Sequence, residues 1–298
     1  MDGTLLDSQT RIPPEAIARL NDAIAAGALF TVATARTPAT VSGLLKNVDL
    51  TLPAIVMTGA TTWLRSDGSY ADTHHFSSQN ARRILNVYKR HHLPSFVYTL
   101  RSGMIEIYHF GPLSELEKDF IRVRLDSPFK HFNLSPLQQK QLADIPLSDE
   151  QMDLIWQESL AFIPSEIPDA LLFFAMQPAD IGAPAFADLR RINGINPIFY
   201  FDTVYPGNAM IEAFPGTASK ANAIRRLADK IGADRIVAFG DNRNDLPMLE
   251  IADLAVAVDN AIPEVKQAAD IIIGSNDSGA VADFILKDFN GHPANPHP

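Results

Sequence analysis

Short, unbroken apolar runs alternate with helical patterns at both ends of this 298-residue chain and cease to do so in its middle. The first end carries a helical pattern over residues 13–27, with Ile17, Leu20 and Ile24 on one face, then apolar runs at 29–33 and 54–57. Thr37 supplies an N-cap oxygen and Pro38 the first position of a short helix through Val41, Leu44 and Leu45. The second end opens a helix at Lys220, with Ile224, Leu227 and Ile231 along one face. Apolar runs at 235–239, 254–258 and 271–274 follow, separated by helices after Asn244 and Ile262. Strands this short and this uniformly apolar must be covered on both faces, which predicts a parallel sheet between two layers of helices.

The middle has another texture. Asp67-Gly68, flanked by Trp63, Leu64 and Tyr70, predicts a hairpin within 62–71. Beyond it come a helical pattern at 81–91 and strand patterns at 96–100, 104–110, 171–176 and 198–201. The expected architecture is therefore α/β: a doubly wound parallel-sheet core formed by 1–77 and 206–288, with an α+β domain inserted over 78–205. The tail 289–298, rich in Pro, Asn and His, is expected to be flexible.

Composition narrows the function. With 25 basic against 35 acidic residues and a pI near 5.2, the chain has no electrostatic footprint for nucleic acid or an anionic membrane. A small phosphorylated substrate stays open, because one pocket can be positive inside an acidic protein. The absence of cysteine rules out disulfides, thiolate metal sites and cysteine catalysis. No apolar run is long enough for a bilayer, and residues 1–8 hold neither a basic stretch nor an apolar one, so a cytoplasmic location is expected.

In open parallel sheets ligands bind beyond the carboxyl ends of the strands, so the polar residues there are the candidates. They are Asp2-Gly3-Thr4-Leu5-Leu6-Asp7 ahead of the first helix, Thr34-Ala35-Arg36 after the run at 29–33, and Lys220 at the start of its helix. The last is Gly240-Asp241-Asn242-Arg243-Asn244-Asp245 after 235–239. Singly, each reads as a turn, a cap or a solvated surface. Together they supply hard carboxylate oxygens suited to Mg²⁺ and a hydroxyl and an ammonium suited to phosphate oxygens. The pairs His74-His75 and His91-His92 read as surface residues, because adjacent side chains point in different directions. Trp63 and Trp156 read as packing.

The ordered set of motifs resembles the haloacid-dehalogenase (HAD) superfamily along nearly the whole chain, and within it the Cof-like sugar phosphatases with an α/β cap between the second and third motifs (type IIB). The resemblance implies a Mg²⁺-dependent phosphatase of small phosphorylated metabolites, acting through an aspartyl-phosphate. It implies that Asp2 is general acid and base and offers its backbone carbonyl to the metal, that Asp241 and Asp245 are metal ligands, and that Thr34 and Lys220 hold the transferring phosphoryl group. Ala35, Arg36 and Asn244 fall to phosphate or substrate contacts. The family's first motif is a strand followed by Asp-x-Asp-Gly-Thr, whose second aspartate maps onto Asp2. Its nucleophilic first aspartate and preceding strand are accordingly expected just upstream of Met1. Two departures stand out: Ala35 where the family often has Gly, and Thr58, before Gly59, where it often has Asn, a change expected to alter substrate contacts. A phosphohexomutase-like enzyme and a catalytically inactive metabolite-binding protein are the alternatives, the latter if the chain starts at Met1.

Overall fold

The computed structural model describes residues 1–162, 169–201 and 206–291. The chain divides into two compact units, Met1–Asp72 with Ser219–Pro298, and Thr73–Ala218. The first unit begins with α1 (Pro14–Ala25), α2 (Pro38–Leu44) and the antiparallel strands β1 (Ala54–Val56), β2 (Thr61–Trp63) and β3 (Tyr70–Ala71). The expected hairpin is β2–β3, with Thr62 opposite Ala71, and the Asp67 carboxylate accepting from the Ser69 amide at 2.9 Å.

The inserted unit holds α3 (Ser78–Arg90), β4 (Ser95–Arg101), β5 (Met104–Phe110), α4 (Glu115–Arg122), β6 (Lys130–Asn133), α5 (Pro136–Leu142) and α6 (Asp149–Phe162). It ends with β7 (Ala170–Pro178), α7 (Ala179–Leu189), β8 (Ile195–Phe201) and β9 (Asn208–Pro215). Its six strands form one sheet in the order β6-β5-β4-β7-β9-β8. One face packs Val97, Phe173, Ala175, Ile211 and Ala213 against Ile84, Val87 and Tyr88 of α3 and Ala185 and Leu189 of α7. The return to the first unit falls at Ser219 rather than 206, because β9 pairs with both β7 and β8 in this sheet.

The first unit then resumes with α8 (Lys220–Ile231), β10 (Val237–Gly240), α9 (Leu246–Leu249), β11 (Leu254–Val258), α10 (Pro263–Ala268), β12 (Ile271–Ile273) and α11 (Ala280–Gly291). Strands β10, β11 and β12 pair in parallel, as the apolar runs require. Helix α11 extends through Gly291, so 289–291, expected to be flexible, continue the helix; 292–298 lie outside the described residues.

The run at 29–33 is not a regular strand. It makes a single parallel bridge, Ala33 with Ile55, in which the Ile55 amide donates to the Val32 carbonyl at 2.8 Å and the Thr34 amide to the Ile55 carbonyl at 3.0 Å. The segment also lines an apolar pocket of about 670 Å³, with Leu29, Thr31, Ile224, Leu227, Val237 and Phe284 among its walls. Among the described residues it pairs along one edge only, short of the two-sided pairing that a sheet interior provides.

Candidate active site

The first loop folds back on itself: Met1 is buried, and its carbonyl accepts from the amides of Leu5 and Leu6, both at 3.0 Å. Gly3, at φ +65, lets this loop run hard against Asp241; a Cβ there would stand 3.0 Å from the Asp241 carboxyl carbon. The same approach lets the Thr4 hydroxyl donate to the Asp241 carboxylate. Asp2 faces the other way. Its two oxygens accept from Arg36, Nε at 2.8 Å and Nη2 at 2.5 Å, a bidentate fork.

Thr34 is buried, its hydroxyl accepting from the Arg36 amide at 3.1 Å. Its carbonyl accepts from the Thr58 amide at 3.0 Å, and the Arg36 carbonyl from the Met57 amide, also at 3.0 Å. The loops after the 29–33 run and after β1 are thereby laced together. Thr37 takes the N-cap position of α2, but its hydroxyl makes no capping bond and is buried with no hydrogen-bond partner among the described residues.

Lys220 opens α8 behind Ser219, whose hydroxyl accepts from the Asn222 amide at 3.0 Å. With 7% of its side chain exposed, Lys220 donates to Asp245 at 2.7 Å. The other Asp245 oxygen accepts from the amides of Asp241 at 3.1 Å and Asn242 at 3.4 Å, which closes the turn after β10. Lys220, Asp245, Asp241, Thr4 and the Asp2 loop are thus one connected group. Asn244 is exposed in the turn Arg243–Asp245 and joins none of the described hydrogen bonds of this group; Ala35 is half-buried between Thr34 and Arg36.

The electrostatics separate the three carboxylates. Burial opposes the charged form of Asp2, but the hydrogen bonds and charge of Arg36 outweigh it and hold the carboxyl below its ordinary range. At Asp245 burial is likewise overcome, by the Lys220 ammonium, and that carboxyl too lies low. Asp241 is pushed up, first by burial and then by the charge of Asp245, against the Thr4 hydrogen bond. The charge of Lys220, which holds Asp245 low, also acts on Asp241 but does not offset its burial. Among the described residues no three His, Cys, Asp or Glu side chains gather as a metal site. The donor set nonetheless fits Mg²⁺, which is commonly held by one or two carboxylates, with water and substrate phosphate completing its shell.

Two residues not singled out in the sequence belong to this region. Asn260, just past β11, donates to the Gly3 carbonyl at 2.7 Å and accepts from the Asn276 amide at 2.9 Å, while Asn276 donates to the Leu6 carbonyl at 2.8 Å. The pair pins both ends of the Asp2 loop. A polar residue directly after an apolar strand was the available signal. His91 shares a hydrogen bond with the Asp188 carboxylate at 2.9 Å, and the His92 ring meets Trp156 edge-on at 6.2 Å between centroids.

The haloacid dehalogenase-like hydrolase family matches residues 1–166 and 186–285. Along nearly its full length the chain is similar to the Bacillus subtilis 5-amino-6-(5-phospho-D-ribitylamino)uracil phosphatase YwtE, at 27% identity over 99% of this chain and 98% of that protein. It is also similar to the Escherichia coli pyridoxal phosphate phosphatase YbhA, at 23% identity over 96% of each. A third relative, the Arabidopsis thaliana chloroplastic endoribonuclease YBEY, is 28% identical over 96% of this chain, which spans only 45% of that longer protein. Among solved structures, a haloacid dehalogenase-like hydrolase from Bacteroides thetaiotaomicron shares the fold with a TM-score of 0.70 at 21% identity over 97% of both chains. The HAD subclass IIB sugar phosphatase BT4131 does so at 0.65 and 18%, over 97% of this chain and 96% of that one. The cap inserted between core segments is the arrangement expected from the motifs, YwtE and YbhA match the chain along nearly their whole length and are phosphatases, and the chain belongs to the haloacid dehalogenase-like hydrolases.

Proposed function

We propose that the protein is a Mg²⁺-dependent phosphomonoesterase of small phosphorylated metabolites, sugar phosphates among them. The observation that carries this reading is the joined group of Lys220, Asp245, Asp241 and Thr4 beside the Asp2–Arg36 pair at the strand ends. Given a nucleophile to accept the group, phosphoryl transfer rests chiefly on positioning and opposed charges. YwtE and YbhA, whose names specify phosphorylated small molecules, support the substrate class.

Asp241 and Asp245, with the Asp2 backbone carbonyl, are the atoms that would hold Mg²⁺, which supplies charge neutralisation to the transferring group. Lys220 offsets negative charge beside Asp245, and Thr34 offers a hydroxyl to a phosphate oxygen. In the free protein Asp2 is charged and clamped by Arg36, the form of a base. A phosphate dianion drawing Arg36 to itself loosens that clamp and raises the affinity of Asp2 for a proton, which is what protonation of a leaving oxygen requires. Arg36 then serves twice, as anion contact and as control of the Asp2 proton. The phosphoryl acceptor in this reading is an aspartate two positions before Asp2, forming an aspartyl-phosphate.

The test is p-nitrophenyl phosphate hydrolysis by the full protein with and without Mg²⁺, beside Asp241→Asn. Metal-stimulated phosphate release, lowered by about a hundredfold or more in the variant, is the expected result. Full activity in Asp241→Asn would end the metal assignment. A folded protein that binds Mg²⁺ but releases no phosphate from any sugar phosphate would favour the binding-protein alternative.

A further inference from the structure

Three lysines are buried among the described residues, Lys118, Lys130 and Lys220, and two of them have carboxylate partners. Lys118 donates to Glu115 at 2.7 Å and to Asp144 at 3.0 Å, and Lys220 to Asp245 at 2.7 Å. Lys130, the first residue of β6 and 6% exposed, has no such partner among the described residues. The side chains of β6 alternate, so Lys130 and Phe132 share the face that carries Phe96 and meets Phe120 of α4, while His131 turns to solvent. There the Lys130 Nζ stands 5.9 Å from the centroid of the Phe120 ring and 5.8 Å from that of Phe132. Arg124, half-buried two residues past α4, lies over the same Phe120 ring at 3.8 Å. Two cations thus share one aromatic wall, and a ring face offers a buried cation less than a carboxylate does.

Burial, and after it the charge of Arg124, pushes the Lys130 amine down to about 7. An ordinary lysine, near 10.5, is almost wholly protonated at neutral pH; Lys130 carries a free lone pair about a thousandfold more often. Its Nζ keeps contact with solvent although the rest of the side chain is covered. So narrow an opening admits a small reactant only. A free amine of this kind is a nucleophile.

We propose that Lys130 is a CO2-binding site of the inserted unit, its amine taking up CO2 reversibly as a carbamate that pairs with the Arg124 guanidinium. The nitrogen lone pair forms the N–C bond, one C=O π pair moves onto oxygen, and the proton lost from nitrogen passes to water. No oxidant or reductant is needed. The addition replaces a cation that Arg124 repels with an anion that Arg124 attracts. The site draws nothing from the Lys220–Asp241 group, so it stands or falls apart from the phosphatase reading.

The experiment incubates the folded full protein with carbon-13 bicarbonate at neutral pH, traps carbamate by O-alkylation and locates the adducts by peptide mass spectrometry. Expected is an adduct on Lys130 at least about tenfold above that on the exposed Lys89 and Lys140, falling about tenfold in Arg124→Gln, where the repulsion eases and the carbamate loses its counter-ion. An adduct on Lys130 no greater than on those exposed lysines, or one undiminished in Arg124→Gln, would overturn the proposal. A second measurement compares bicarbonate with chloride at equal ionic strength. Bicarbonate should raise the melting temperature of the wild type and leave that of Lys130→Met unmoved, because only the wild type binds CO2 in its folded form. An equal shift in the two proteins, or none in the wild type, counts against the site in the same way.

Discussion

Glu212 sits in the middle of β9 with 7% of its surface exposed and its carboxyl pushed up to about 7 by burial, against a hydrogen bond from the Tyr200 hydroxyl at 3.2 Å. Its second oxygen has no hydrogen-bond partner among the described residues. A carboxyl whose folded value lies above its unfolded one binds protons more tightly when folded. Its stabilising contribution is thus complete below the ordinary glutamate range, declines as pH rises toward 7 and is lost beyond it. Glu212→Gln should flatten that decline and leave the protein more stable than wild type above neutrality, by up to about 3 kcal/mol at 1.36 kcal/mol per pKa unit. Thermal melts of both proteins at pH 5 and pH 8 check it; a wild-type curve that does not fall between them, with no gain in the variant, removes the assignment. Asp245 has the opposite sign. Held low by Lys220, it contributes above the ordinary aspartate range and ceases to as acid carries the pH down through its folded value.

At the scale of elements, α8 shows how a sequence signal and a site coincide. Ser219 caps the helix, Lys220 follows at its first position, and Gly232 at φ 65 ends it. Ser219→Ala should cost about 1 kcal/mol by loss of the cap, read in urea unfolding, and should lower phosphatase activity more than stability because Lys220 loses its fixed starting point. Unchanged activity in a variant destabilised as expected would show that the cap does not position Lys220. Elements marked by apolar runs and caps were legible because these are local signals: β5 of the inserted unit and β11 of the first have the boundaries read from the sequence, and α8 begins where expected. Helices α4 and α5 escaped although they carry capping boxes, Ser114–Glu117 and Ser135–Gln138, whereas two strands of the inserted unit escaped for want of a signal. Strand β6 reads Lys-His-Phe-Asn, and β9 carries Glu212 in the centre of an otherwise apolar run. The site divides the same way. Asp2, Thr34, Lys220, Asp241 and Asp245 announce themselves by type and place, whereas the left-handed backbone at Thr58 and the double role of Asn260 depend on backbone angles and on partners as many as 257 residues away.

For the molecule as a whole, the insertion of a complete sheet domain within a doubly wound core means that two cooperative units share one chain, each with its own apolar interior. Separate interiors can be lost separately. The inserted unit packs Phe96, Phe120 and Phe174 with ring centroids 5.1 to 5.9 Å apart, and the first unit gathers Ile55, Ala223 and Leu227. The chain has two tryptophans, Trp63 in the first unit and Trp156 in the second, so fluorescence of single-tryptophan variants reports each separately. Urea titration should give a different midpoint for each tryptophan, and one shared midpoint would mean that the units unfold together. One indole in each half makes every unfolding curve of this protein two curves.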